Sequence, residues 1–132
     1  MNSIMSLYSA LAEKMGLTVQ TDPKISRNML FFCDAMQTPV HIIYYKVRNS
    51  TAGFWGLTEN QLDFLASGGT GFTVILISKS TVYSLTQNDV RHIRSTFKLQ
   101  ADGDYKINER DLAKLPVAAY KLWPNAAGYN IA

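Results

Sequence analysis

Lys46 and Arg48 close one apolar run, Lys79 follows another, and Arg91, Arg94 and Lys98 recur at spacings of three and four further along the chain. Such spacings place side chains on one face of a helix, so the last three predict a basic helical stripe. No acid interrupts that stretch between Asp89 and Asp102. Guanidinium and ammonium groups gathered in this way can track a phosphate backbone, and the neighbouring Phe54-Trp55 offers rings on which bases stack. The plainer alternative is a mixed solvated face together with an aromatic lid over the core. Lys46 likewise has an ordinary reading, as a strand-end lysine reaching solvent or guarding an edge.

Other chemistries lack the spacing they need. Ser67-Gly68-Gly69-Thr70-Gly71 runs from a helix into a strand, the reverse of the order that aims backbone amides at a phosphate. His41, His92 and Cys33 are not spaced as zinc ligands. His41, within a β-rich run, reads as a hydrogen-bonded core histidine, and His92 as a solvated one on the basic face.

The chain has 132 residues and a formal net charge of +3, which favours polyanionic partners without requiring one. A domain of this length buries well over half of the surface its unfolded form exposes. Cys33 is the only cysteine and lies in the apolar run Met29 to Cys33, so it reads as a small core residue in a reducing compartment. Met1 to Gly16 is interrupted by Ser3, Ser6, Ser9, Glu13 and Lys14, a pattern expected of a helix rather than of a secretory signal. No stretch approaches the roughly 20 apolar residues of a bilayer-spanning helix, so a cytoplasmic location with no membrane contact is expected.

These groups must be positioned by alternating helices and strands. Ile4, Leu7, Leu11 and Met15 mark one face of a first helix stopped by Gly16, and Leu17, Val19 and Thr21 alternate in a short, partly exposed strand. Met29 to Cys33 and Val40 to Val47 predict a hairpin, the second run apolar on both faces and therefore central. Thr58 with Gln61 three residues on, and Leu57 against Leu62, predict a capping box and hydrophobic staple; Leu62 and Leu65 form the buried stripe and Gly68-Gly69 the end. Phe72 to Ile77 and Thr81 to Leu85 predict two more strands. Thr86 with Asp89 caps a helix that turns Val90, Ile93 and Phe97 inward. Beyond Leu99 come a turn at Ala101 to Asp104, a short helix from Asn108 to Leu115 stopped by Pro116, and an irregular tail.

This order, with Tyr44-Tyr45-Lys46 ending the central strand and Gln61 on the following helix, resembles the PD-(D/E)XK superfamily of restriction-endonuclease-like nucleases. The resemblance covers Ile4 to about Phe97. It implies an α/β fold with a restriction-endonuclease-like core, a central mixed four- to five-stranded sheet flanked by helices. A single domain over 1–132 follows, with its core at about 4–98 and a C-terminal extension at about 99–132.

In that family an acid on the strand before the hairpin and another two residues before the lysine hold a divalent metal that activates water. Here the second position is Tyr44, and the first, around Leu30 or Phe31, is apolar. A phenol is neutral near pH 7 and does not replace a carboxylate. The resemblance leaves Lys46 and Gln61 as catalytic candidates, with a capping role as the alternative for Gln61. Asp34, Asp22 and Glu13 are the carboxylates available for a rearranged magnesium site, against the ordinary reading of the two aspartates as turn residues and of Glu13 as a solvated helix residue.

The leading expectation is a catalytically degenerate nuclease-fold protein without a cofactor, which binds nucleic acid through Lys46, Arg48, Trp55, Lys79, Arg91, Arg94 and Lys98 or serves as a non-catalytic subunit of a nuclease complex. One alternative is an active magnesium-dependent endonuclease with displaced ligands. The other is a protein-interaction module of the immunity or assembly kind, with a protein partner or a second copy of itself.

Overall fold

The computed structural model describes residues 3–22, 26–48, 53–78 and 82–114. Lys79, Pro116 and the tail around Trp123-Pro124 lie outside the described residues. Among these residues three helices, α1 (Ser3–Lys14), α2 (Glu59–Ser67) and α3 (Gln87–Thr96), accompany seven strands: β1 (Thr18–Asp22), β2 (Ser26–Cys33), β3 (Pro39–Val47), β4 (Trp55–Thr58), β5 (Gly71–Ile77), β6 (Val82–Leu85) and β7 (Asp104–Ile107). The short helix expected from Asn108 to Leu115 is a 3-10 helix over Glu109–Lys114.

Five strands form one mixed sheet in the order β1-β2-β3-β5-β6. β3 runs parallel to β5, and the other pairs are antiparallel. β3 is central because its residues are apolar on both faces. Ile42 and Tyr44 enter one core with Phe72, Val74 and Leu76, whereas Ile43 enters the other with Leu30, Phe32 and Ile75. α1 covers the second core. α2, α3 and a two-stranded β4–β7 ribbon cover the first, giving helices on both faces of the sheet.

The buried face of α1 is Tyr8, Leu11 and Ala12. Tyr8 packs edge-on against Phe32, with ring centroids 5.9 Å apart. Met15, expected to be inward, is 44% exposed because the helix ends at Lys14 and Gly16 turns the chain with φ of +73°.

The capping box at α3 forms as expected. Thr86 Oγ1 accepts from Asp89 N, and the fully buried Asp89 carboxylate accepts from Thr86 N at 3.0 Å. At α2, Thr58 occupies the N-cap, but its side chain makes no capping bond. It pairs across the ribbon with Asp104, and its hydroxyl donates to Asp104 Oδ1 at 3.0 Å. The demand of the ribbon outweighs that of the helix start, which corrects the capping box predicted for Thr58 and Gln61.

Candidate functional site

The end of β3 is where a lysine-assisted phosphate chemistry would sit. Strand alternation puts Ile42, Tyr44 and Lys46 on the α2/α3 side of the sheet. The β2–β3 register places Met29 directly opposite Tyr44, and Phe31 opposite Ile42. Leu30 pairs with Ile43 and points into the other core, so the position facing Tyr44 is Met29 rather than the expected Leu30 or Phe31.

Met29 is 0% and Tyr44 1% exposed. Both share a core with Trp55, Leu57 and Tyr105 of the β4–β7 ribbon. Burial pushes the Tyr44 phenol above its ordinary range; hydrogen bonding from Thr58 opposes the rise and the Asp104 carboxylate adds to it. Lys46 is half-buried beside Leu76, and Gln61 is half-buried in the first turn of α2. A thioether and a neutral buried phenol do not fit a magnesium ion, which takes hard, charged oxygen ligands.

The candidate metal carboxylates are dispersed. Asp34 sits in the β2–β3 turn, where its Oδ1 accepts the N–H groups of Met36 at 2.9 Å and Thr38 at 3.0 Å. Asp22 pairs with Ser26, whereas Thr18 pairs with Cys33 next to Asp34. The two acids therefore sit toward opposite ends of the β1–β2 ladder. Glu13 is exposed on the last turn of α1. Among the described residues, no group of three His, Cys, Asp or Glu side chains could hold a metal.

The basic residues divide by what neutralises them. Arg48 donates to Glu109 Oε1 at 3.0 Å and lies over the Trp55 ring, 5.9 Å from its centroid. Arg94 reaches Glu59 at 2.8 Å and Asp63 at 3.2 Å, and Tyr105 also donates its hydroxyl to Glu59. That bond to Glu59 is the main reason the Tyr105 phenol is held above its ordinary range, with burial adding to it. Arg91 is exposed and donates to the neutral Asn88 Oδ1 at 2.7 Å, and Lys98 is exposed.

Trp55 is a correction. It is a fully buried residue of β4 whose Nε1 donates to Ile77 O at 3.0 Å and whose ring meets Tyr83 edge-on, so it is not open to stack on bases. The expected basic surface also spreads along the sheet. Lys46 pairs with Leu76 at the end of β5, whereas α3 begins at the opposite end, where Gln87 approaches Gly71 and His41. Five extended residues, roughly 17 Å, separate those ends.

His41 is the hydrogen-bonded histidine that its position predicts. Its Nε2 lies 2.9 Å from Thr73 Oγ1, and burial pushes its pKa down to about 4. Residue type alone pointed to neither Asp104 nor Thr58 as neighbours of Tyr44. Both depend on the ribbon, whose two strands lie 46 residues apart at the Thr58 and Asp104 pair. No helix among the described residues is long and apolar enough to cross a membrane. No protein-family model matches the chain, and no curated protein matches it in sequence.

Proposed function

We propose that the chain is a catalytically degenerate nuclease-fold protein that binds nucleic acid, alone or as a non-catalytic subunit of a nuclease complex. The mixed five-stranded sheet between helical layers supports the resemblance to restriction-endonuclease-like cores. The carrying observation is the buried Met29–Tyr44 pair, an apolar and a phenolic side chain at the two positions where the chemistry requires carboxylates.

Binding falls to the cations not matched by acids, Arg91 on α3 and Lys98 just beyond its end, with Lys46 at the end of β3; α3 stops at Thr96, so Lys98 does not continue the expected helical stripe. A lysine at such a place holds a phosphate as a point charge, and the exposed Arg91 fork can grip one through two donors. Alanine at Arg91 or Lys98 is expected to weaken binding of a labelled duplex several-fold at low salt. Alanine at Arg48, already paired with Glu109, is expected to change it little. Equal effects at all three positions would contradict this assignment.

A further inference from the structure

Between α2 and α3 lies an open cleft of about 500 Å³, within the size range of small-molecule sites. Its floor is apolar, made by the buried Phe72 and Val90, and the small Ala66 leaves one wall low. Along the other wall, Gln87, Arg91 and Ser95 recur every four residues and form a polar ridge on α3. Arg94 and Glu59 close the cleft on each other at 2.8 Å, so that pair adds no net charge. Arg91 remains: it lines the cleft at its rim, its guanidinium bonded to the neutral Asn88 Oδ1 and not to an acid, so it is the cation of the cleft that no carboxylate compensates.

We propose that this cleft binds a small amphiphilic organic anion, a carboxylate or phosphate monoester joined to a body of about ring size. The guanidinium of Arg91 takes the oxyanion as a fork, Gln87 and Ser95 offer further polar contacts, and the body displaces water from Phe72 and Val90. An anion without the body gains nothing from the floor, and a body without the anion leaves Arg91 solvated. This site shares Arg91 with the nucleic-acid reading but asks for a free small molecule rather than a backbone, and the cleft-filling Ala66→Trp below tests it without touching Arg91.

The test is an amide chemical-shift titration of the full chain with adenosine 5′-monophosphate, benzoate, inorganic phosphate and adenosine, each to about 10 mM. The expected result is saturable shifts at Phe72, Val90 and Ser95 with the nucleotide, with benzoate or with both. Affinity should fall about tenfold or more in Arg91→Gln and in Ala66→Trp, which fills the cleft from an exposed position. Response to the nucleotide alone identifies a nucleotide source, and response to benzoate alone an aryl or alkyl acid. Absence of saturable shifts with both, or an equal response to inorganic phosphate, overturns the proposal. So does binding unchanged in both variants.

Discussion

Met29 of β2 stands directly across from Tyr44 of β3, and the β4–β7 ribbon seals both from solvent. Phosphoryl chemistry needs this place open and negatively charged, and here it is closed and neutral. Restoring charge is therefore expected to damage the fold rather than the reverse. Tyr44→Asp buries an unpaired carboxylate and should cost more than about 4 kcal/mol in urea unfolding. Tyr44→Phe should cost only about 1 kcal/mol, the loss of its bonding with Thr58. A folded Tyr44→Asp variant that binds magnesium would show that the place is a latent metal site.

His41 carries a pH dependence whose sign follows from burial. The ring titrates near 6.5 in an unfolded chain and has its pKa pushed down to about 4 in the folded one. Above about pH 6.5 both states are neutral and His41 contributes nothing to the slope. Between 6.5 and 4 the unfolded chain takes up a proton that the folded chain refuses, so stability falls as pH drops and levels off below 4. The loss is expected to be about 1 to 2 kcal/mol after allowance for the ring's partial access to water. Urea unfolding at a series of pH values should show this slope flattened in His41→Gln, which keeps a partner for Thr73.

Gly56 is required by a close approach. A Cβ there would lie 2.7 Å from Asp104 Oδ2, on a carboxylate that Thr58 already holds through its other oxygen. Gly56→Ala should destabilise the protein by about 1 to 3 kcal/mol, and adding Asp104→Ser should recover part of the loss. Strictly additive costs in the double variant would indicate that the contact is not the cause.

Tyr8 offers the opposite sign. Its hydroxyl is buried and makes no hydrogen bond with the described residues, and burial holds its phenol well above the ordinary range. Removing an unpartnered buried polar atom while keeping the ring on Phe32 should leave stability unchanged or raise it by about 1 kcal/mol. A thermal melt of Tyr8→Phe is sufficient, and a loss of more than about 1 kcal/mol would reveal a partner for the hydroxyl.

Local patterns carried most of the main sheet. The unbroken runs ending at Cys33, Val47 and Ile77 are strands, and the Thr86–Asp89 box begins α3 as its residues predict. The ribbon is hard to read from sequence because each of its strands has only four residues, so the alternation in Trp55–Thr58 and Asp104–Ile107 is too short to separate it from the turns beside it. That omission misassigned Trp55, whose indole bonds to Ile77 O, a partner 22 residues away. It also misassigned Thr58, which answers to Asp104 before it answers to its own helix. At the candidate site, residue type alone revealed the missing acids. Register makes the partner of Tyr44 Met29, just before the expected Leu30 or Phe31; counting back from Cys33 opposite Val40 gives the same pair, and only the Cys33–Pro39 pair at the turn is shifted.

The most direct measurement is fluorescence polarisation of a labelled duplex and a labelled single strand over a salt series, with and without magnesium, with the same samples then run on a gel. The expected result is binding that weakens steeply with salt and is indifferent to magnesium, with the log–log slope smaller by about one in Arg91→Ala and in Lys98→Ala, and with the nucleic acid intact. Magnesium-dependent nicking that disappears in Asp34→Ala would contradict the degenerate reading and restore the enzyme. Absence of binding at low salt would contradict a nucleic-acid role altogether.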